Sequence, residues 1–308
     1  MAESTTPADA VAAPTAPVAL ETRPVIPPWK SLWLRFKANR SARIGAAIVI
    51  VYILIAVTVP LFDSYDALRD SNPAARFKAP SAEHPFGTDK LGRDILRRVG
   101  HGASVSLVAS LLAVTISVAF GATIGEMAGF FGGWADSVLM RIMDVMLAFP
   151  YLLLAIVLVA IFGPGLRNAL LAVAILGIPT YARLARSMAI SVRTEDYVMA
   201  AESLGATRWR LLRQHVVPNT LSPVIVQATL GLGTAVISTA ALGFLGLGQQ
   251  PPYPELGKML AESQEYLVYG MWWGMVFPGI AITLVVLGFN LLGDGLRDTL
   301  DPKLRGRE

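Results

Sequence analysis

Apolar runs of roughly twenty residues, long enough to cross a bilayer, recur along this chain between short charged stretches. The pattern predicts six spans: near Ile44–Phe62, Val105–Gly125, Phe149–Phe162 with part of the preceding helix, Leu166–Ala182, Asn219–Leu245 and Met271–Leu292. The expected fold is all-α, a polytopic membrane protein of about six transmembrane helices. Ahead of the first span, Trp29, Trp33 and Phe36 recur at helical spacing beside Lys30, Arg35, Lys37, Arg40 and Arg43. An aromatic stripe with positive charges and no negative one predicts an interfacial amphipathic helix over residues 29–43. Residues 1–28 hold six prolines and seven alanines but few large apolar side chains, so they are expected to form a disordered tail that cannot offset its ordering entropy. A signal peptide is not expected, because Glu3 stands where a basic start is wanted and Pro14 and Pro17 interrupt any apolar core. Residues 44–304 then form the membrane domain.

Composition strengthens this reading. Of 308 residues, 54% are hydrophobic and 16% charged, whereas soluble domains carry about 25% charge. The absence of cysteine excludes disulfides, thiolate metal sites and a cysteine nucleophile. The three histidines, at 84, 101 and 215, are too scattered to propose a metal site. The net charge of +4 matters less than its distribution and does not imply nucleic acid. An even span count puts both termini on one side, and the basic start makes that side cytoplasmic. The 183–218 loop falls on the same side and carries six arginines against three acids, in agreement. The 63–104 loop disagrees, with seven Lys or Arg residues on the outer side. Moving it inside would put the 183–218 loop outside, so the six-span arrangement is kept.

The stretch Thr194–Asn219, TEDYVMAAESLGATRWRLLRQHVVPN, is too polar to enter the bilayer and reads as two short helices. Thr194 suits an N-cap, and Glu195 and Asp196 suit the positive end of a helix dipole. Tyr197, Val198, Ala201 and Leu204 form an apolar stripe. Gly205 can take the positive φ of a sharp helix exit, and Pro218 marks the start of the next span. Physics alone leaves two readings open: a helix lying on the membrane, or one presenting the small residues Ala200 and Ala201 to a partner protein.

The same stretch resembles the cytoplasmic loop of ATP-binding-cassette importer permeases. Their pattern is Glu-Ala-Ala, three residues, Gly, nine residues, then a hydrophobic residue, any residue, Leu and Pro. Ala200, Ala201, Gly205 and Pro218 fall in register, with His215 and Val217 at two further positions and Met199 where the family has Glu. The segments HPFGTDKLGRD (84–94), MRIMD (140–144), ALGFLGLG (241–248) and GDGLRDTLDPKL (293–304) resemble the C-type permease of dipeptide and oligopeptide importers. The resemblance covers residues 29–304 and implies the type I importer transmembrane fold. It further implies a second, B-type permease, two ATPase subunits holding ATP and Mg, an extracytoplasmic substrate-binding protein and peptide cargo, all at the cell inner membrane. It assigns ATPase coupling to the matching Ala200, Ala201, Gly205 and Pro218, and Glu195, Asp196 and Arg208 of the same loop are expected to share that role. Similar importers carry nickel chelates, glutathione or sugars, so the cargo stays open.

Three further features have structural or functional readings. Gly121, Gly125 and Gly129 recur every fourth residue, a smooth ridge for a packing helix. Arg141 and Asp144 share one helical face, with Glu126 and Asp136 near in sequence, and suggest an ion-pair cluster at the cytoplasmic end. Gly87 and Gly92 suit loop turns, while Asp294, Arg297 and Asp298 suit the end of the last helix. No phosphate-binding loop occurs, since the Gly257-Lys258 pair is followed by Met259. The chain is therefore expected to be no enzyme and to hold no cofactor. A secondary transporter would call for paired broken spans and a mid-span carboxylate, and an intramembrane enzyme for paired catalytic groups at membrane depth. Neither signature is evident in the sequence.

Overall fold

The computed structural model describes residues 28–66 and 70–300. Residues 1–27 of the expected tail, together with Lys303, Arg305 and Arg307, lie outside the described residues. The described chain is helical, with one isolated β-bridge between Thr88 and Asp94.

Helix α1 (Pro28–Ala38) is followed by α2 (Arg40–Phe62), so the expected 29–43 helix is in fact divided. The division has a local cause. Asn39 takes extended backbone and its side chain accepts from the Ala42 N–H, which caps α2 and turns the chain out of α1. The next helix, α3 (Ile95–Phe131), is 37 residues long and Asp94 caps it by accepting from the Arg97 N–H. Then come α4 (Gly133–Ala148) and α5 (Tyr151–Phe162), bent by 97° at Phe149–Pro150. Pro150 offers no N–H to the ladder and drives Phe149 into extended backbone, at φ −92° and ψ 143°. Helix α6 (Leu166–Arg193) is followed by the short helices α7 (Asp196–Ser203) and α8 (Arg208–Leu211), then by α9 (Val217–Phe244), α10 (Leu256–Gln264) and α11 (Trp273–Leu300). Among the described residues, five helical stretches are long and apolar enough to cross a membrane, and the bent α4–α5 pair makes up to six.

Close backbone approach holds the spans together. A Cβ on Gly121 would lie 2.6 Å from the Ile178 carbonyl oxygen, and one on Gly129 would lie 2.6 Å from that of Arg186. One on Gly125 would strike the Ala182 carbonyl. Without a hydrophobic driving force between helices in lipid, such approach is what gives an interface its dispersion energy. Beside this α3–α6 seam, Ala113, Ala155, Val159, Val173 and Leu176 form a buried cluster that joins α3, α5 and α6. Helix α2 packs chiefly on α11 and α3, while α9 packs on α11, α3 and α6.

Candidate functional site

At one end of the bundle the chain leaves α6 and returns through α7 and α8. Thr194 ends α6 and does not begin α7: its hydroxyl donates to the Ser191 carbonyl, and Glu195 takes the N-cap position. Of the expected apolar stripe, Val198 is buried, against a cluster containing Phe130, Val192, Leu211, Leu212 and Val216. Ala201 is half-buried, whereas Tyr197, Met199 and Leu204 face outward, Leu204 at 89% exposure. The helix is thus anchored by buried Val198 with Ala201 beside it, and turns Met199 and Leu204 outward. Glu195, Asp196, Ala200, Gly205, Arg208 and Pro218 are all exposed. Gly205 has φ +85°, and its N–H donates to the Glu202 carbonyl. The Thr207 side chain then accepts from Arg210 N–H and starts α8.

The expectation of two separate short helices needs correcting for the second. From Arg208 the helix runs on through a π-turn, Leu212–Val216, into α9, so Arg208–Phe244 is one continuous stretch. Pro218 sits inside that stretch and cannot bond to the carbonyl four residues back. The wider π-turn absorbs the lost bond. Asn219 braces the junction by donating to the Tyr197 hydroxyl at 3.1 Å and to the His215 carbonyl at 2.6 Å.

The charge cluster is also arranged differently from its sequence spacing. Asp144 accepts from Arg183, and Asp136 accepts from Arg186 in a bidentate pair at 2.6 and 2.7 Å. Arg141 is exposed and bonds to neither Glu126 nor Asp144 among the described residues. Glu126 is buried and accepts from the Thr220 hydroxyl on α9. The cause is that α4 lies across α6, whose arginines reach its carboxylates, while Glu126 projects from α3 toward α9. Arg193 adds a bond to the Phe130 carbonyl at 3.0 Å, tying the end of α6 to α3.

Within the spans lies a cavity of about 180 Å³ lined by α3, the α4–α5 junction, α6 and α9. Its polar groups come from Ser117, Tyr151, Thr180, Tyr181, Gln227 and Thr234, and no acidic or basic residue lines it. Hydroxyls and an amide both donate and accept, so the surface can meet a charged group of either sign without a fixed counter-ion. Nothing in the sequence singled out these residues, because a lone polar residue in an apolar run does not reveal which others it faces.

The opposite end is closed by an ordered loop. Arg93 and Arg98, both buried, pair with Asp89 and Glu262. Arg97 donates to Asp63 and Asp70, and its hydrogen bonds hold the Asp63 carboxyl below the usual carboxylate range. Gly87 and Gly92 have φ +74° and +73°, and a Cβ on Gly87 would lie 2.7 Å from the Trp273 ring. At the other end of α11, Asp298 accepts from Asn39 at 3.0 Å. Sequence reasoning missed Glu255, which caps α10 from a fully buried position by accepting from the Gly257 and Lys258 N–H groups and the Ser106 hydroxyl. Burial pushes its carboxyl up, and the two backbone N–H bonds oppose the shift.

Comparison with known proteins agrees with this architecture. Residues 117–306 match the family model of the binding-protein-dependent transport system inner membrane component, and residues 27–80 match that of the N-terminal TM domain of oligopeptide transport permease C. The chain is 49% identical to the dipeptide transport system permease protein DppC of Alkalihalophilus pseudofirmus, over 95% of each chain. It is 44% identical to the glutathione transport system permease protein GsiD of an Escherichia coli strain, over 91% of this chain and 92% of that one. Among solved structures, a chain of the inward-facing MetNI methionine ABC transporter superposes with a TM-score of 0.56 at 18% identity. That match covers 67% of this chain and 98% of the other.

Proposed function

Because the chain belongs to the family of binding-protein-dependent transport system inner membrane components, we propose that it forms one half of the pore of an ATP-driven importer of dipeptides or oligopeptides. The observation that carries the proposal is the continuity of Arg208–Phe244. One helix joins the exposed α7–α8 loop to the uncharged cavity, where it supplies Gln227 and Thr234. Of two ATPase subunits, which bind ATP and Mg, one receives the outer face of α7 around Tyr197, Met199 and Leu204. A second permease completes the pore, and a substrate-binding protein delivers the peptide at the end closed by the 70–94 loop. Both termini are then cytoplasmic. The neutral cavity suits a zwitterionic peptide, which must be met and released without being held.

A glutathione cargo is the second reading, supported by the 44% identity to a permease so named. Glutathione is itself a small peptide, and the same neutral surface would accept it. The deciding experiment is uptake by the complete importer in liposomes loaded with ATP, with labelled dipeptide and labelled glutathione in competition. Dipeptide uptake that unlabelled glutathione does not inhibit supports the first reading. No ATP-dependent uptake of any peptide by an intact, correctly inserted complex sinks both. Reporter fusions at 308 and within 70–94 should report opposite sides of the membrane.

A further inference from the structure

A cavity of about 620 Å³ lies between α2, α3 and α11, at the end of the bundle remote from α7 and α8. We propose that it holds one acyl chain of a bilayer phospholipid whose headgroup carries an ammonium, with Arg97 at the phosphate and Asp63 at the ammonium.

The volume is within the roughly 300–1,000 Å³ of pockets that take small ligands. The walls are apolar: Tyr52 and Val59 from α2, Gly100 from α3, Phe277, Ala281 and Leu284 from α11. From Tyr52 to Phe62 the groove follows ten residues of α2 (62 − 52), about 15 Å at 1.5 Å per residue. That is half of a hydrocarbon core about 30 Å thick, the depth of a single leaflet. Its rim is open sideways, with Phe62, Leu96 and Ile280 exposed at 89%, 42% and 48%.

Charge sits only at the outer end of the groove. Arg97 is 40% exposed and spends three N–H bonds on Asp63 and Asp70, while a guanidinium has five. Two N–H groups are left for a phosphate oxygen. Among the described residues, two carboxylates around one guanidinium leave the rim negative, and His101, 3.2 Å from Asp63, reduces that charge only when protonated. A headgroup with phosphate and ammonium side by side complements such a rim better than an anionic one.

The geometry also argues against the second permease as the occupant. The uncharged cavity is built by α3, the α4–α5 junction, α6 and α9, and α2 packs chiefly against α3 and α11. The groove therefore shares only α3 with that cavity, and meets this helix nearer its start.

The test uses the full chain with its importer partners in liposomes that contain a phospholipid with a photoactivatable diazirine in its acyl chain. The probe carries either an ethanolamine or a glycerol headgroup, and labelled positions are mapped by mass spectrometry. The ethanolamine probe should label 52–62 and 277–284 several-fold more than the exposed face of α3 at Val108, Leu111 and Leu112. Ala281→Phe, which fills the groove, should cut the groove labelling several-fold and leave the α3 face unchanged. The comparison of the two faces in the unaltered chain does not depend on that variant folding. Equal labelling of groove and face, equal labelling by the glycerol probe, or crosslinking of a photoreactive residue at 280 to the second permease would each overturn the proposal.

Discussion

Gly205→Val is expected to disconnect ATP hydrolysis from uptake while leaving the spans inserted. A Cβ at this position meets nothing within 4 Å, so crowding cannot be the cause of any defect. The backbone is the cause: φ is +85°, and a side chain in the left-handed region costs about 1–2 kcal/mol, more when it is β-branched. Set against this is the single buried anchor of α7, Val198, whose burial contributes about 1.5–3 kcal/mol. Strain and anchor are of one scale, so relief of the strain can re-aim α7. A displacement that costs the docked state about 1.4 kcal/mol weakens the docking equilibrium tenfold. Gly205→Asn supplies the control, since asparagine tolerates the left-handed region. The assay is peptide-stimulated ATP hydrolysis and uptake in the reconstituted importer, beside pull-down of the ATPase subunits. The valine variant should lose uptake and the asparagine variant keep most of it. If both transport like the parent and retain the ATPase, α7 does not couple the two activities.

Gly125→Leu should deplete folded protein, because its side chain falls on the Ala182 carbonyl in the α3–α6 seam. Overpacking of this kind costs about 1–3 kcal/mol or more, and fluorescence-detected size exclusion should show a reduced or broadened monodisperse peak. Asp63 predicts an acid limit of the outer rim. Its folded pKa lies below the ordinary value, so its contribution is complete above about pH 3.9 and is lost as pH falls through the folded value. Thermal unfolding followed between pH 6 and pH 3, on the order of those carboxylate values, should fall less steeply for Asp63→Asn than for the parent.

The spans were legible because a bilayer imposes length and apolarity on every crossing segment, and the runs around Val49, Val114 and Val285 satisfy both. The third span was legible only in part, since hydropathy registers Phe149-Pro150 as apolar and says nothing of a 97° bend there. Local conformation was readable where one residue type decides it: the glycine at 205 does take positive φ. It was misread at Thr194, where a hydroxyl can cap a following helix or close the preceding one, and the length of α6 settles which. Partners far apart in the chain were out of reach. Asp144 lies 39 positions before Arg183 and Ser106 lies 149 before Glu255, separations that no helical period links.

The 37 residues of Arg208–Phe244 make a rod about 55 Å long at 1.5 Å per residue. If the proposed coupling holds, a force on its α8 end would act as a torque on the part that faces the cavity, so a push on α8 would alter the setting of Gln227. The seam of Thr220 with Glu126 lies between them and is the natural fulcrum. The π-turn at Leu212–Val216 sits on the loop side of that fulcrum. It can therefore soften the stroke before it reaches the membrane, but it cannot bend the arm that carries the cavity wall.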